Sequence, residues 1–172
     1  KTIGEVAVVV CAEHHLKFDL SGYPQLSGYR KQHLASGIVA LSDVYDALSQ
    51  RRSYKEDYAP ELIYSMMQKD KGSAFSPELF DHFFSIIGVW PIGTLVVLDD
   101  NCIGVVREQS SVDMHKPIVQ IIDGKDSGKM LDLSSESTKR IIRSLNPLNE
   151  GKPYVERAFS HLASHIVLHK ED

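Results

Sequence analysis

A change of period at Gly88 constrains what this chain can fold into. Ahead of it the apolar residues recur at helical spacing. Between residues 32 and 50, Leu34, Ile38, Leu41, Tyr45 and Leu48 lie three or four positions apart, on one face of an amphipathic helix. Pro60 stands at a first-turn position and opens a second helix, with Leu62, Ile63, Met66 and Met67 as its apolar stripe. Ser76-Pro77 is a cap and first-turn pair for a third, which runs to about Ile87 and buries Phe80, Phe83, Phe84 and Ile87. Gly88 supplies the left-handed stop. Beyond it the signal becomes short β-type runs at 94–98, 103–107, 117–122 and 130–133, separated by Asp99-Asp100-Asn101, a polar loop, and the Gly124 to Gly128 turn. These predict a small antiparallel meander.

The two ends carry further helices. Thr2-x-x-Glu5 has the form of a capping box, which predicts a buried helix bearing His14 and His15 at its end. Residues 137–145 predict a short helix stopping at Asn146-Pro147, and residues 153–169 a terminal amphipathic helix with Val155, Phe159, Leu162 and Ile166 inward. On that helix His161, His165 and His169 share a face at metal-competent spacing, and we read them as an exposed polar face. The fold class expected is mostly α.

Charge and cysteine content narrow the function. A net charge of −4 with pI near 6.1 gives no general reason for binding DNA or an anionic membrane, so any phosphate-binding charge must be local. Cys11 and Cys102 are too few for a disulfide framework and too far apart for a metal knuckle, which suits thiols in a reducing cytoplasm. The apolar run from Val6 to Ala12 is far short of the roughly 20 residues of a membrane span. Without a secretory leader or an initiator Met, the chain reads as a cytoplasmic piece of a longer protein.

The chemistry-bearing residues fall in three blocks. The first is His14-His15-Leu16-Lys17-Phe18-Asp19-Leu20-Ser21-Gly22-Tyr23-Pro24. The second is Asp43-Val44-Tyr45-Asp46-Ala47-Leu48, and the third is Arg52-Ser53-Tyr54-Lys55. Consecutive helical residues point about 100° apart, so adjacent histidines serve two neighbouring metals, or one metal and one outer contact. Asp43 is the candidate for the further carboxylate that completes such a site. Imidazole and carboxylate donors without thiolate suit iron or manganese better than structural zinc. Arg52 and Lys55 supply what a phosphodiester needs.

The order and spacing of these blocks resemble the C-terminal half of the HD-GYP domain family, bacterial metal-dependent phosphodiesterases that hydrolyse cyclic di-GMP. The family run His-His-Glu-x-x-Asp-Gly-x-Gly-Tyr-Pro is matched at His14, His15, Asp19, Gly22, Tyr23 and Pro24, and is broken at Leu16 and Leu20. The stretch Gly88-Val89-Trp90-Pro91-Ile92-Gly93-Thr94 is similar to the segment that closes the family domain ahead of its strands. The resemblance covers about residues 1–135. It implies a helical HD-GYP portion over 1–92, a β meander over 93–135, and a helical tail over 136–172.

It also implies roles. His14, His15 and Asp43 match the family's metal ligands in a binuclear or trinuclear iron or manganese centre. Tyr23, Arg52 and Lys55 match positions on the substrate side, and Asp19 and Asp46 are expected to orient ligands from outside. The implied partners are cyclic di-GMP or a related cyclic dinucleotide, a signalling protein at the Gly-Tyr-Pro loop, and a second copy in a homodimer. No general acid or base is assigned. The eponymous His-Asp pair, upstream of the His-His motif in the family, is absent from these 172 residues, so the isolated chain is expected to be inactive and to expose Val6, Val10 and Leu41. Leu16 removes a hydrogen-bond acceptor, and Leu20 cannot cheaply take a positive φ. A degenerate, non-catalytic module that binds nucleotide or a signalling partner is therefore the alternative. A plain helical interaction fragment is a third reading, against which the retained His14, His15, Asp43, Arg52 and Lys55 argue.

Overall fold

The computed structural model describes residues 2–25, 28, 31–50, 58–135 and 138–167, the side chains of 2, 3 and 160–167 excepted. Arg52, Lys55 and the His161, His165 and His169 side chains lie outside that description. Two compact units emerge: Lys1–Tyr58 with Leu62–Phe84, and Ala59–Glu61 with Ser85–Asp172.

The first unit is built from α1 (Thr2–Glu13), α2 (Leu34–Ser49), most of α3 (Pro60–Lys69) and most of α4 (Pro77–Ile87). Pro60 and Pro77 each occupy the first helical position, where a missing N–H costs nothing. The core is aromatic. Phe80 and Phe84 are fully buried, with ring centroids 4.8 Å apart, and Tyr64 meets Phe84 edge-on at 4.9 Å. Such pairs add about 0.5–1.5 kcal/mol beyond their area. Ile63, Met67 and Leu41 fill the remaining space.

The helices form where expected, but two buried faces differ. α2 buries Ser36, Gly37, Ala40 and Leu41, while Leu34 and Ile38 are exposed. A Cβ on Gly37 would lie 3.0 Å from Leu79 Cδ1, so the small residues set the closest approach and turn the larger ones outward. Leu41 is thus core rather than part of an exposed patch. α1 is not the buried helix predicted from its valines: Val8 is 70% exposed, and among its described side chains only that of Glu13 is buried. A run apolar on all sides gives no face preference, so burial follows the partner's position instead.

The second unit contains β1 (Leu95–Leu98), β2 (Ile103–Glu108), β3 (Ile118–Asp123), β4 (Met130–Asp132), β5 (Ile141–Leu145) and α5 (Lys152–Val167). All neighbours pair antiparallel, in the order β4-β3-β2-β1-β5. Leu95, Ile103, Val105, Ile122 and Leu145 pack with Ala158, Tyr154 and Val155 of α5. Gly88 takes φ +75°, the left-handed stop its position required. The segment behind it docks on β2 through Gly93 N to Val106 O at 2.8 Å and Val106 N to Thr94 O at 3.0 Å.

β5 corrects two expectations. Residues 141–145 form a strand on the edge of β1, not a helix. With five helices and one five-stranded sheet among the described residues, the protein is mixed α and β rather than mostly α. The strand is fixed by distant partners: β1 on one side, and the Glu61 carboxylate, which accepts from Ser144 N and Oγ at 2.9 Å each. Glu61→Ala is expected to cost about 1.5–3 kcal/mol, the range for hydrogen bonds to a charged group, read as a lowered denaturation midpoint. Among the described residues no helix is long and apolar enough to cross a membrane.

Candidate metal and nucleotide site

α1 ends at Glu13, and the two histidines sit in the turn beyond it rather than on the helix. His14 N still bonds Val10 O at 3.0 Å, and its Nδ1 lies 3.1 Å from both Val10 O and Cys11 O. Carbonyls only accept, so Nδ1 carries the hydrogen and Nε2 of the neutral ring keeps its lone pair. This is how a ligating histidine is usually held: one ring nitrogen is anchored and the other left free for a metal. The His15 ring lies 4.0 Å from that of His14, tilted by 41°.

The loop that follows closes on itself. Lys17 N bonds Ser21 O at 2.8 Å, Leu20 N bonds Lys17 O at 2.9 Å, and Leu16 pairs with Gly22 in an isolated antiparallel bridge. Phe18 N and Asp19 N then dock on the Ala74 and Ser73 carbonyls. Gly22 is demanded twice over. Its φ is +92°, and a Cβ there would stand 2.7 Å from the His15 carbonyl oxygen. Gly22→Ala should therefore cost about 2–3 kcal/mol through strain and displacement of His15. Thermal unfolding measures this loss.

Both departures from the family run have structural content. Leu20 takes φ +67°, the conformation that a glycine would hold freely. That costs about 1–2 kcal/mol, partly offset by its half-buried side chain. Leu20→Gly should leave stability within about 1 kcal/mol of the parent in denaturant titration, because relieved strain and lost packing oppose. Leu16 is a core residue at 2% exposure, and its carbonyl accepts from Gln32 Nε2 at 2.6 Å.

The carboxylates are placed as follows. Asp19 accepts from Ser21 N at 2.9 Å, and hydrogen bonds from Ser21 hold its carboxyl below the usual range. Asp46 Oδ2 accepts from Gln50 Nε2 at 2.6 Å at the end of α2. Asp43 is exposed on α2, and Tyr23 is 74% exposed. Among the described residues no group of three histidine, cysteine, aspartate or glutamate side chains is placed to hold a metal ion. The donor types nevertheless suit one: His14 presents an anchored imidazole, His15 stands beside it, and Asp43 is an exposed carboxylate on α2.

Sequence reasoning missed Glu13. Its side chain is 2% exposed, and Oε2 accepts from His33 N at 2.9 Å. His33 caps α2, its Nδ1 accepting from Ala35 N at 3.2 Å. Glu13 thereby links the end of α1, just ahead of the histidines, to the start of α2. An acid next to two histidines is the only mark of this in the sequence, and it does not reveal the partner.

No family model matches the chain. It is similar to a cyclic di-GMP phosphodiesterase of Pseudomonas aeruginosa, 33% identical over 122 residues, which is 70% of this chain and 29% of that protein. A 3'3'-cGAMP-specific phosphodiesterase of Vibrio cholerae is 38% identical over 77 residues, 45% of this chain and 15% of its own length. A cyclic di-GMP phosphodiesterase response regulator of Xanthomonas campestris is 32% identical over 77 residues, 45% of this chain and 20% of its own. The chain thus spans less than a third of each of these relatives. These likenesses support the resemblance to the HD-GYP family that the His-His and Gly-Tyr-Pro blocks carry.

Proposed function

We propose that this chain is the C-terminal part of an HD-type phosphodiesterase domain that hydrolyses cyclic di-GMP or a related cyclic dinucleotide in the bacterial cytoplasm. The observation that carries this reading is the likeness to relatives named for that activity. The anchored His14 ring supports it from the structure. His14, His15 and Asp43 would hold two or three iron or manganese ions. Such ions polarise a phosphodiester and lower the pKa of bound water to make the nucleophile.

The remaining roles belong to the polypeptide. The Val10 and Cys11 carbonyls fix the tautomer and tilt of His14. Gly22, packed on the His15 carbonyl, fixes the backbone that carries the second imidazole. Arg52 and Lys55 pair with the phosphates, Arg52 through its planar donor fork. Tyr23 offers an exposed ring to the nucleotide, or to a signalling partner at the Gly-Tyr-Pro loop. Asp19 and Asp46 steady the loop and the helix end that flank the ligands.

Purified full-length protein, loaded with manganese or iron and given cyclic di-GMP, tests the proposal. Release of the linear dinucleotide and then GMP is expected. Metal uptake without turnover would favour the second reading, a module that binds the nucleotide and does not cleave it. Leu16 favours that reading, since the family acid is replaced by a buried core residue. Arg52→Ala should weaken nucleotide binding by about 1.5–3 kcal/mol, the range for a charged hydrogen bond. An unchanged Kd would count against its role.

A further inference from the structure

Arg107 lies on β2 of the second unit, half-buried beneath α5. Its Nε donates to Gln120 Oε1 at 2.9 Å and its Nη2 to the Ala158 carbonyl at 3.2 Å. Both acceptors are neutral, and among the described residues no carboxylate pairs with the guanidinium. A charge withdrawn from water without a counter-ion is costly, and desolvation holds the pKa of Arg107 below the ordinary arginine value. Arginine carries five N–H donors in a planar fork, so several remain for a ligand.

A cavity of about 230 Å³ opens beside this group. Apart from Arg107, the described residues that line it are apolar, Leu95, Val105, Val155, Ala158 and Phe159 among them. The volume equals that of roughly eight water molecules in the liquid, which is room for a short hydrocarbon tail and not for a nucleotide. We propose that this cavity binds a small monocarboxylic acid with an apolar tail, the carboxylate meeting Arg107 and the tail lying against Leu95, Val105 and Val155. A planar carboxylate matches the guanidinium fork and neutralises it. A strongly hydrated phosphate would instead leave its oxygens facing hydrocarbon. The site lies wholly within the second unit and is independent of the histidine cluster.

Titration of the full-length protein with octanoate, followed by amide chemical shifts, tests the proposal, with 1-octanol as the neutral control. Octanoate should perturb residues around Arg107 and bind at least about tenfold more tightly than 1-octanol, as a charged hydrogen bond allows. Arg107→Gln should abolish that preference while leaving 1-octanol binding within about twofold. Phe159, at 65% exposure, can be cut to alanine without touching the core, and Phe159→Ala should weaken both ligands. Equal affinities for octanoate and 1-octanol in the parent, or an undiminished preference in Arg107→Gln, would overturn the proposal. The parent comparison stands even if Arg107→Gln fails to fold.

Discussion

Leu16→Glu is expected to destabilise the protein by about 3–5 kcal/mol, the cost of a carboxylate left buried without a partner. The family run has glutamate at this position, so the substitution looks like a repair. In this chain it is the reverse. Leu16 is 2% exposed, and its backbone is tied on both sides by Glu13 O to its N–H and by Gln32 to its carbonyl. The sign of the pH effect follows from burial. A buried glutamate has its folded pKa raised above the unfolded value, so the deficit is largest above that raised pKa and shrinks as pH falls through it. Urea titration at neutral and at mildly acidic pH measures both. A variant as stable as the parent at neutral pH would mean that residue 16 is not core, and the case for a degenerate loop would lose its structural basis.

His14→Ala carries the largest expected effect on activity. Loss of an outer-shell partner of a metal ligand typically costs 10–100-fold in affinity or activity, and loss of the ligand itself should exceed about 100-fold. The neutral ring presents Nε2 because Nδ1 is committed to Val10 O and Cys11 O. His14→Ala should therefore lower bound iron or manganese and hydrolysis together. The thermal midpoint of the metal-free protein should change little, since the lost hydrogen bonds are partly exposed. Hydrolysis within tenfold of the parent, with metal content unchanged, would remove His14 from the ligand set.

Much of the helical stretch before Gly88 could be read from the sequence because its signals are local. Pro60, Pro77 and Gly88 punctuate helices by their own backbone chemistry, and each stands where it was expected. The failures have non-local causes. Residues 141–145 hold Ile141, Ile142 and Leu145 at a spacing that suits either a helix or a half-exposed strand, and only β1 and Glu61 decide the matter. The buried face of α2 differs from the expected one because the small Gly37, not the larger Leu34 and Ile38, meets Leu79.

At the candidate site, residue types and spacing single out the histidines and the glycine turn as candidates, and the structure shows what holds each in place. The Nδ1 contacts of His14 and the packing of Gly22 on the His15 carbonyl are three-dimensional facts with faint sequence signatures. Leu20 is the instructive case. The sequence shows a residue ill-suited to positive φ, and the backbone adopts φ +67° regardless, because the bonds from residues 17–22 over-determine the loop.

The central claim is that His14, His15 and Asp43 hold the metals that cleave a cyclic dinucleotide. It is tested most directly by measuring metal per chain and cyclic di-GMP turnover in the full-length protein, in parallel with a His14→Asn, His15→Asn double variant. The account predicts that the parent binds at least two iron or manganese ions and releases linear product, and that the double variant loses both together. A double variant that keeps its metal and its turnover would contradict it.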